Sequence, residues 1–349
     1  MHRIVFSLIA SLFAAIISRP VLAWGPVAHE AICEIAYQEL TPAARAKVNA
    51  LIKRDPEYRL FSKSCNWMDH PRKRAVEHYV NVARNMNKIE DRPCPTADKC
   101  VVSAILNDMR DLALTSDEEE QLVLLKSLGH WLGDIHQPLH VSFEDDQGGN
   151  KIGIESTCKS NLHAVWDNCI VERKIGEDPK AIALRLRAEI SPENRAAWAS
   201  SNIDAQSVIG WANESLAITL KPDTAYCIQK DDACWYAPDR KEFSLGQPMR
   251  NVIADDAYLT KQAPIVSERI KMAGIRLGSM LNTIFAPAVS ETAPVSPLPP
   301  AASPSADRVT VSAEDVRHLS EKIDRLEQAI ASLREEIAKL RESGALQRR

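Results

Sequence analysis

The segment His130-Trp-Leu-Gly-Asp134-Ile-His136-Gln-Pro-Leu-His140 constrains this chain more than any other stretch. His130 and Asp134 are four residues apart, so on a helix they stand on one face about one turn from each other. Pro138 lacks a backbone N–H and disfavours helix in the residue before it. It therefore predicts a helix end near Gln137 and leaves His140 in a turn beside the same place. A second pair at the same spacing, His163 and Asp167, follows in Asn161-Leu-His-Ala-Val-Trp-Asp167. One such pair would be an ordinary polar helix face. The repetition argues for a metal cluster, because three of the chain's nine histidines, His130, His140 and His163, fall here at helical or turn spacing to acids.

The chain opens on His-Arg, an apolar run from Ile4 to Ile17 and then Val21-Leu22-Ala23. That run is too short to span a bilayer and has the pattern of a secretory leader, so residues 1–23 are expected to be removed and the mature chain to begin at Trp24. Without Arg3 and Arg19, 41 basic residues stand against 47 acidic ones, a net charge of −6 that implies no general polyanion-binding surface. Eight cysteines, none in the leader, fit an exported protein in an oxidising compartment, periplasmic or secreted. Cys94 and Cys100, and Cys227 and Cys234, are near enough in sequence to close short loops. Cys33 with Cys65 and Cys158 with Cys169 would use the rest, although spacing alone leaves other connectivities open. Zinc thiolates are the competing reading, but no Cys-x-x-Cys occurs.

From Trp24 to Phe285 the patterning is mostly helical. Apolar residues recur at three and four in Ala31–Tyr37, Val101–Leu114, Glu119–Leu132, Ala205–Leu220 and Ile265–Ile284. The exception is Asp145-Asp-Gln-Gly-Gly-Asn150-Lys-Ile-Gly-Ile, whose paired glycines predict a tight loop or small hairpin. A length of roughly 260 residues suits a single core, and one all-α domain is expected over 24–286. Six of the twenty prolines then fall between Pro287 and Pro304. This marks a linker over 287–310, extended over as much as roughly 60 Å at about 3.1 Å per residue. Beyond it, Val316, Ile323, Ile330 and Ile337 alternate with Leu319, Leu326, Leu333 and Leu340, the a and d positions of a coiled coil over 311–345.

Three further candidates precede the central segment: His29 in Trp24-Gly-Pro-Val-Ala-His29-Glu, Asp69 in Asn66-Trp-Met-Asp69, and His78 in Glu77-His78-Tyr-Val-Asn81. Each alone would be read as a buried structural residue. Together with the two pairs they give the region Trp24 to about Phe285 a close resemblance to the zinc-dependent, single-strand-preferring nucleases of fungi, plants and bacteria. More distantly, it resembles bacterial zinc-dependent phospholipase C. The resemblance implies three zinc ions in one cleft. Trp24, through its terminal amine and carbonyl, would hold one with His29 and Asp134. Asp69, His78, His130 and a bridging Asp134 would hold the second, and His140, His163 and Asp167 the third. Asp69 and Asp134 are thereby the carboxylates expected at the reacting centre. Mixed His and Asp donors without thiolate suit hydrolytic zinc.

The resemblance further implies hydrolysis of single-stranded RNA or DNA to 5′-phosphate products, and removal of 3′-phosphates from nucleotides. Tyr79 matches a position that stacks on a base, Asn81 one that hydrogen-bonds its edge, and Asn168 one that contacts phosphate. For the assisting basic residue the sequence offers Arg84 or Lys88. A phospholipase C is the nearest alternative. Against it stand Asp167, where the lipases carry glutamate, and a much shorter Trp-to-His spacing. A non-catalytic coiled-coil binding protein on a nuclease fold is the other, and all nine ligand positions being filled argues against it.

The tail is expected to make a homodimer. β-Branched a positions with leucine at every d favour two parallel strands, and Lys322 would face Glu327, and Glu336 Arg341, across the pair. Light scattering of the mature chain should give a dimer, and a chain cut after Phe285 a monomer. A monomeric full-length chain would refute the tail's role.

Overall fold

Caps and prolines divide the chain into helices. The structure, a computed structural model, describes residues 24–286 and, beyond them, Gln328 alone. The expected leader (1–23), the expected linker (287–310) and, Gln328 excepted, the expected coiled coil (311–345) lie outside the described residues. Pro26 begins α1 (Pro26–Glu39) and Pro42 begins α2 (Pro42–Arg54), positions whose N–H groups would have no helical acceptor anyway. After the short α3 (Phe61–Ser64) come α4 (Val101–Leu114) and α5 (Glu118–His136). Asp117 caps α5 by accepting from the N–H groups of Glu119 and Glu120, and Glu118, Glu119 and Glu120 place carboxylates at the positive end of its dipole. The helix stops before an extended Gln137, as Pro138 predicts.

The second half begins with α6 (Leu162–Ala164), which runs into wide π-helical turns over Val165–Cys169 and Val171–Ile175. It continues with α7 (Pro179–Ala188), α8 (Pro192–Trp198), α9 (Ala205–Thr219) and α10 (Asp256–Ile284). Sequence periodicity locates α1, α4, α5, α9 and the larger part of α10. It starts the last helix at Ile265, whereas α10 begins nine residues earlier and runs through Pro264. Leu259 and Gln262 are buried before the proline and Val266 and Arg269 after it, so packing on both sides holds the helix across the missing hydrogen bond.

The domain is mostly helical, but it is not purely α: six short strands form three two-stranded sheets. They are β1 (Val80–Val82), β2 (Val141–Phe143), β3 (Ile152–Glu155), β4 (Ile228–Lys230), β5 (Ala233–Trp235) and β6 (Arg250–Ile253). β1 pairs with β2 and β3 with β6, both in parallel, and β4 with β5 antiparallel. Strands of three or four residues are too short for alternation to show. The glycine-rich segment after Asp145 is a tight loop and not a hairpin, because the strands on either side of it pair elsewhere. Gly148 and Gly149 sit at φ +63° and +84°, a region that glycine enters freely.

The core surrounds α5. From Leu124 onward the helix is buried on every side, packed against α1, α2, α4, α9 and α10, and its polar face therefore lies inside the protein. Four disulfides, Cys33–Cys65, Cys94–Cys100, Cys158–Cys169 and Cys227–Cys234, use all eight cysteines; the two short loops follow the spacing, and the other two pairs are among the connectivities it left open. The first presses on α5 at Gly129, where an added Cβ would lie 2.4 Å from the Cys65 sulfur. Gly129→Ala should therefore cost about 1–3 kcal/mol in urea unfolding, since a disulfide sulfur has little room to retreat. Gly210→Ala, in α9 with nothing within 4 Å of the new Cβ, should instead gain about 0.5–1 kcal/mol. Equal effects at the two positions would contradict this packing.

Candidate metal centre

The polar residues of α5 meet those of five other segments beneath the protein surface. His29 comes from the first turns of α1, and Asp69 from the turn that follows α3. His78 ends a 3-10 turn over Ala75–His78 and His140 ends another over Pro138–His140. His163 lies in α6 and Asp167 in the π-helical stretch after it, a segment bracketed by the Cys158–Cys169 disulfide. All eight side chains, including His130 and Asp134, are at most 8 % exposed.

Asp134 is at the centre. Its Oδ2 lies 3.1 Å from His78 Nδ1 and 3.2 Å from His130 Nε2, and its Oδ1 3.4 Å from His29 Nε2. Asp69 approaches the same imidazoles, 3.6 Å from His78 and 3.8 Å from His130. Further along, Asp167 Oδ2 is 3.4 Å from His163 Nε2, and its Oδ1 3.8 Å from His140 Nε2. Three groups have donor atoms within 4.8 Å of one another and could each hold a metal ion: His29, Asp69 and His130; His78, His130 and Asp134; and His140, His163 and Asp167. The third coincides with the set expected from sequence. In the others His130 is shared, and His29 stands near Asp69 as well as Asp134.

The surroundings orient these rings. The Nδ1 atoms of His130, His140 and His163 lie 2.7, 2.7 and 2.6 Å from the carbonyls of Cys65, His78 and Gly148, and His78 Nε2 lies 2.9 Å from that of Lys73. Each ring thus spends one nitrogen on a backbone acceptor and turns the other inward, the arrangement that fixes the tautomer of a metal-binding histidine. Gln137 Nε2 donates to Asp167 Oδ1 at 2.6 Å. Trp131 packs edge-on against His78 and His130 and donates its Nε1–H to Asp108, which the Arg74 guanidinium grips through both oxygens.

What the inward atoms lack is a partner. Both Asp134 oxygens, Asp69 Oδ1, His140 Nε2 and both His29 nitrogens are buried without a hydrogen bond of normal geometry. Polar atoms stranded in this way cost several kcal/mol together, and cations among them would remove that cost. The residues present therefore fit divalent metal ions. Electrostatics agree. Burial pushes the His140 and His163 imidazoles down, His163 to about 4, which keeps them neutral and able to coordinate. Burial would raise Asp134, but the neighbouring His130, itself pushed up by the carboxylates beside it, outweighs that and holds this carboxyl well below the usual range. Asp167 is raised well above that range by burial, against the Gln137 hydrogen bond.

His136 is the contrast within the same segment. Its Nδ1 meets the Leu132 carbonyl and its Nε2 the Arg276 guanidinium, both at 2.7 Å, with Glu214 closing the ion cluster. Neither nitrogen is left for a metal.

A cleft of about 360 Å³ opens over His140 and His163 and is lined also by Arg72, Tyr79, Asn81, Ser142, Glu144 and Asn150. Tyr79 and Asn81 are thus both cleft residues. Asn168 lies instead beside Gly25, where a Cβ would fall 1.8 Å from its Oδ1. Trp24 is fully buried, and Gly25 N–H donates to the Asp167 carbonyl at 2.8 Å, which ties this segment to the third histidine–aspartate group. The basic residue here is neither Arg84 nor Lys88. Arg84 is buried on Asp145 and Asp146, and Lys88 is exposed beside Glu90 and Asn213. Arg72 faces the cleft, close enough to press down on the His140 and His163 protonation equilibria. Its place three residues after Asp69 was the only sequence cue.

Comparison with known proteins agrees with this geometry. The family model described as S1/P1 Nuclease matches residues 24–286. Endonuclease 3 of Arabidopsis thaliana is 30% identical over 282 residues, covering 76% of this chain and 90% of the relative. Nuclease S1 of Aspergillus oryzae is 26% identical over 273 residues, covering 75% and 91%. Nuclease P1 of Penicillium citrinum is 26% identical over 240 residues, covering 60% and 86%.

Asp134→Ala should release more than one metal ion per chain, because this carboxylate faces three imidazoles. His136→Ala should keep its full metal content while losing roughly 1–3 kcal/mol of stability from the broken buried network. Metal analysis showing at most one ion lost from the first variant would overturn the central place given to Asp134.

Proposed function

This chain belongs to the S1/P1 nuclease family of phosphodiester hydrolases, and on that premise we propose that it is an exported trinuclear-zinc endonuclease for single-stranded nucleic acid. The observation that carries the reading is the set of buried inward histidine and aspartate atoms without partners, one end of which, at His140 and His163, lines a cleft of about 360 Å³. Three ions would be held by Trp24, His29, Asp69, His78, His130, Asp134, His140, His163 and Asp167, with Asp134 between two of them. Bound there, zinc supplies a strong nucleophile at neutral pH and positive charge for the departing 3′ oxygen. Asp69 and Asp134 bring negative charge to the reacting centre and set the spacing of the cluster. Arg72 binds a phosphate oxygen at the cleft wall, and the neutral imidazoles hold their orientation through the carbonyls of Cys65, Lys73, His78 and Gly148. Tyr79 stacks on a base, which tolerates any sequence but needs an unstacked strand, and Asn81 meets the base edge. Asn168 steadies the Trp24–Gly25 segment and is assigned to phosphate only through the resemblance.

Products carry 5′-phosphates, and nucleoside 3′-phosphates are substrates too. Among the described residues no helix is long and apolar enough to cross a membrane, and four disulfides match an extracytoplasmic setting. Release of residues 1–23 has a chemical role in this reading, because it creates the amine of Trp24, whose pKa near 8 lets a metal displace its proton. The tail over 311–345 joins two such domains.

The mature protein should cleave single-stranded RNA and DNA and spare duplex DNA and phosphatidylcholine, with all activity lost to a chelator. A protein carrying extra residues before Trp24 should bind less zinc and lose most of its activity. Hydrolysis of phosphatidylcholine alone, or full activity with a blocked amine, would sink the proposal.

A further inference from the structure

The far half of the cleft holds polar groups for which the metal centre has no use. In the β1–β2 ladder Val80 pairs with Val141, Asn81 with Ser142 and Val82 with Phe143, and Val80, Val82, Val141 and Phe143 are all buried in the core. Strand alternation therefore turns Tyr79 and Asn81, and likewise His140, Ser142 and Glu144, to the opposite face. All five line the cleft. The face is thus graded: Tyr79 and His140 at the metal end, Asn81 and Ser142 one step along, and Glu144 a further step beyond. Glu144 lies in the turn that directly follows β2, at the end of this face away from His140.

The chemistry of that end is specific. Ser142 spends its hydroxyl on the Leu139 carbonyl, and the Asn150 amide is bonded to Gln147 and Asn161. Among the described residues the side chains of Asn81, Glu144 and Gln147 make no hydrogen bond or ion pair. One carboxylate and two amides are therefore available together, and the carboxylate only accepts. Among the four bases only guanine presents two adjacent donors, its ring N1–H and exocyclic N2 amine, to a carboxylate's two oxygens. Its neighbouring O6 is an acceptor that an amide of Asn81 or Gln147 can satisfy. Adenine would instead point its N1 lone pair at the carboxylate. We infer that Glu144 makes the base subsite of this cleft selective for guanine. The inference rests on the nucleotide-cleaving reading of the same cleft and adds the identity of the base to it.

The test uses the full mature protein with its zinc and two series of dinucleotides, NpU and UpN, with N each of the four bases. At one of the two positions guanine should exceed adenine by about ten-fold in kcat/KM, within the range of one bidentate carboxylate contact. In Glu144→Gln that ratio should fall toward one, with zinc content unchanged. Saturation-transfer NMR of the same zinc-loaded protein with free guanosine and adenosine, which carry no phosphate to cleave, gives a readout independent of turnover: guanosine should show the stronger transfer, and Glu144→Gln should lose the difference. Cleavage of all dinucleotides without a guanine preference, or a preference that survives Glu144→Gln, overturns the inference and leaves the nuclease reading standing. Absence of cleavage with guanosine-selective binding intact would overturn the nuclease reading and uphold the subsite.

Discussion

A carboxylate buried at the centre of several imidazoles is the constraint on which the rest of this structure depends. Asp134 has no exposed surface and no hydrogen bond of normal geometry, yet three imidazole nitrogens stand within 3.4 Å of it. An isolated carboxylate in such a place would be too costly to keep ionised. It is tolerable only where positive charge is supplied, by protons on the imidazoles or by cations between them. The orientation of the rings favours the second. Four rings are committed through one nitrogen to backbone carbonyls, and the packing of α5 on every side prevents solvent from sharing the load.

That packing explains features with no chemical role of their own. α5 must be buried to carry the cluster inward, so it needs close neighbours. Gly129 lets the Cys33–Cys65 disulfide lie against it, and Gly133 lets His29 do so, since a Cβ there would fall 2.5 Å from His29 Nδ1. The same disulfide holds Cys65, whose carbonyl orients His130. The cross-link, the glycine and the oriented ring are one device. A second device follows β2, where Asp146 accepts from Arg84, from the Tyr226 hydroxyl and from Gly149 N–H. It pins the loop whose Gly148 carbonyl orients His163.

How much of this could be read from the sequence depended on whether the information was local. His130 with Asp134, and His163 with Asp167, are legible because helical spacing alone puts each pair on one side, and Pro138 tells where the helix must end. The major helices are legible for the same reason. His29, Asp69 and His78 carry no local signal. Each comes from a different segment, and only resemblance to a known family grouped them before the structure did. Arg72 escaped because its nearness to His140 and His163 is a tertiary fact, while Arg84 and Lys88, which follow His78 in the sequence, point elsewhere. The short strands escaped as well, and with them the alternation that places Glu144 on the face of His140. The start of α10 was misjudged because Pro264 is locally a helix breaker and only burial on both sides of it overrides that preference.

The claim that the buried histidines and aspartates are a metal centre, and not a self-satisfied polar core, is tested most directly by anomalous X-ray scattering at the zinc edge from crystals of the mature protein. Three anomalous peaks are expected within coordination distance of His29, Asp69, His78, His130, Asp134, His140, His163 and Asp167, with Asp134 next to two of them. A zinc-supplemented crystal without peaks at these residues, in which the imidazoles hydrogen-bond to the carboxylates directly, would contradict it.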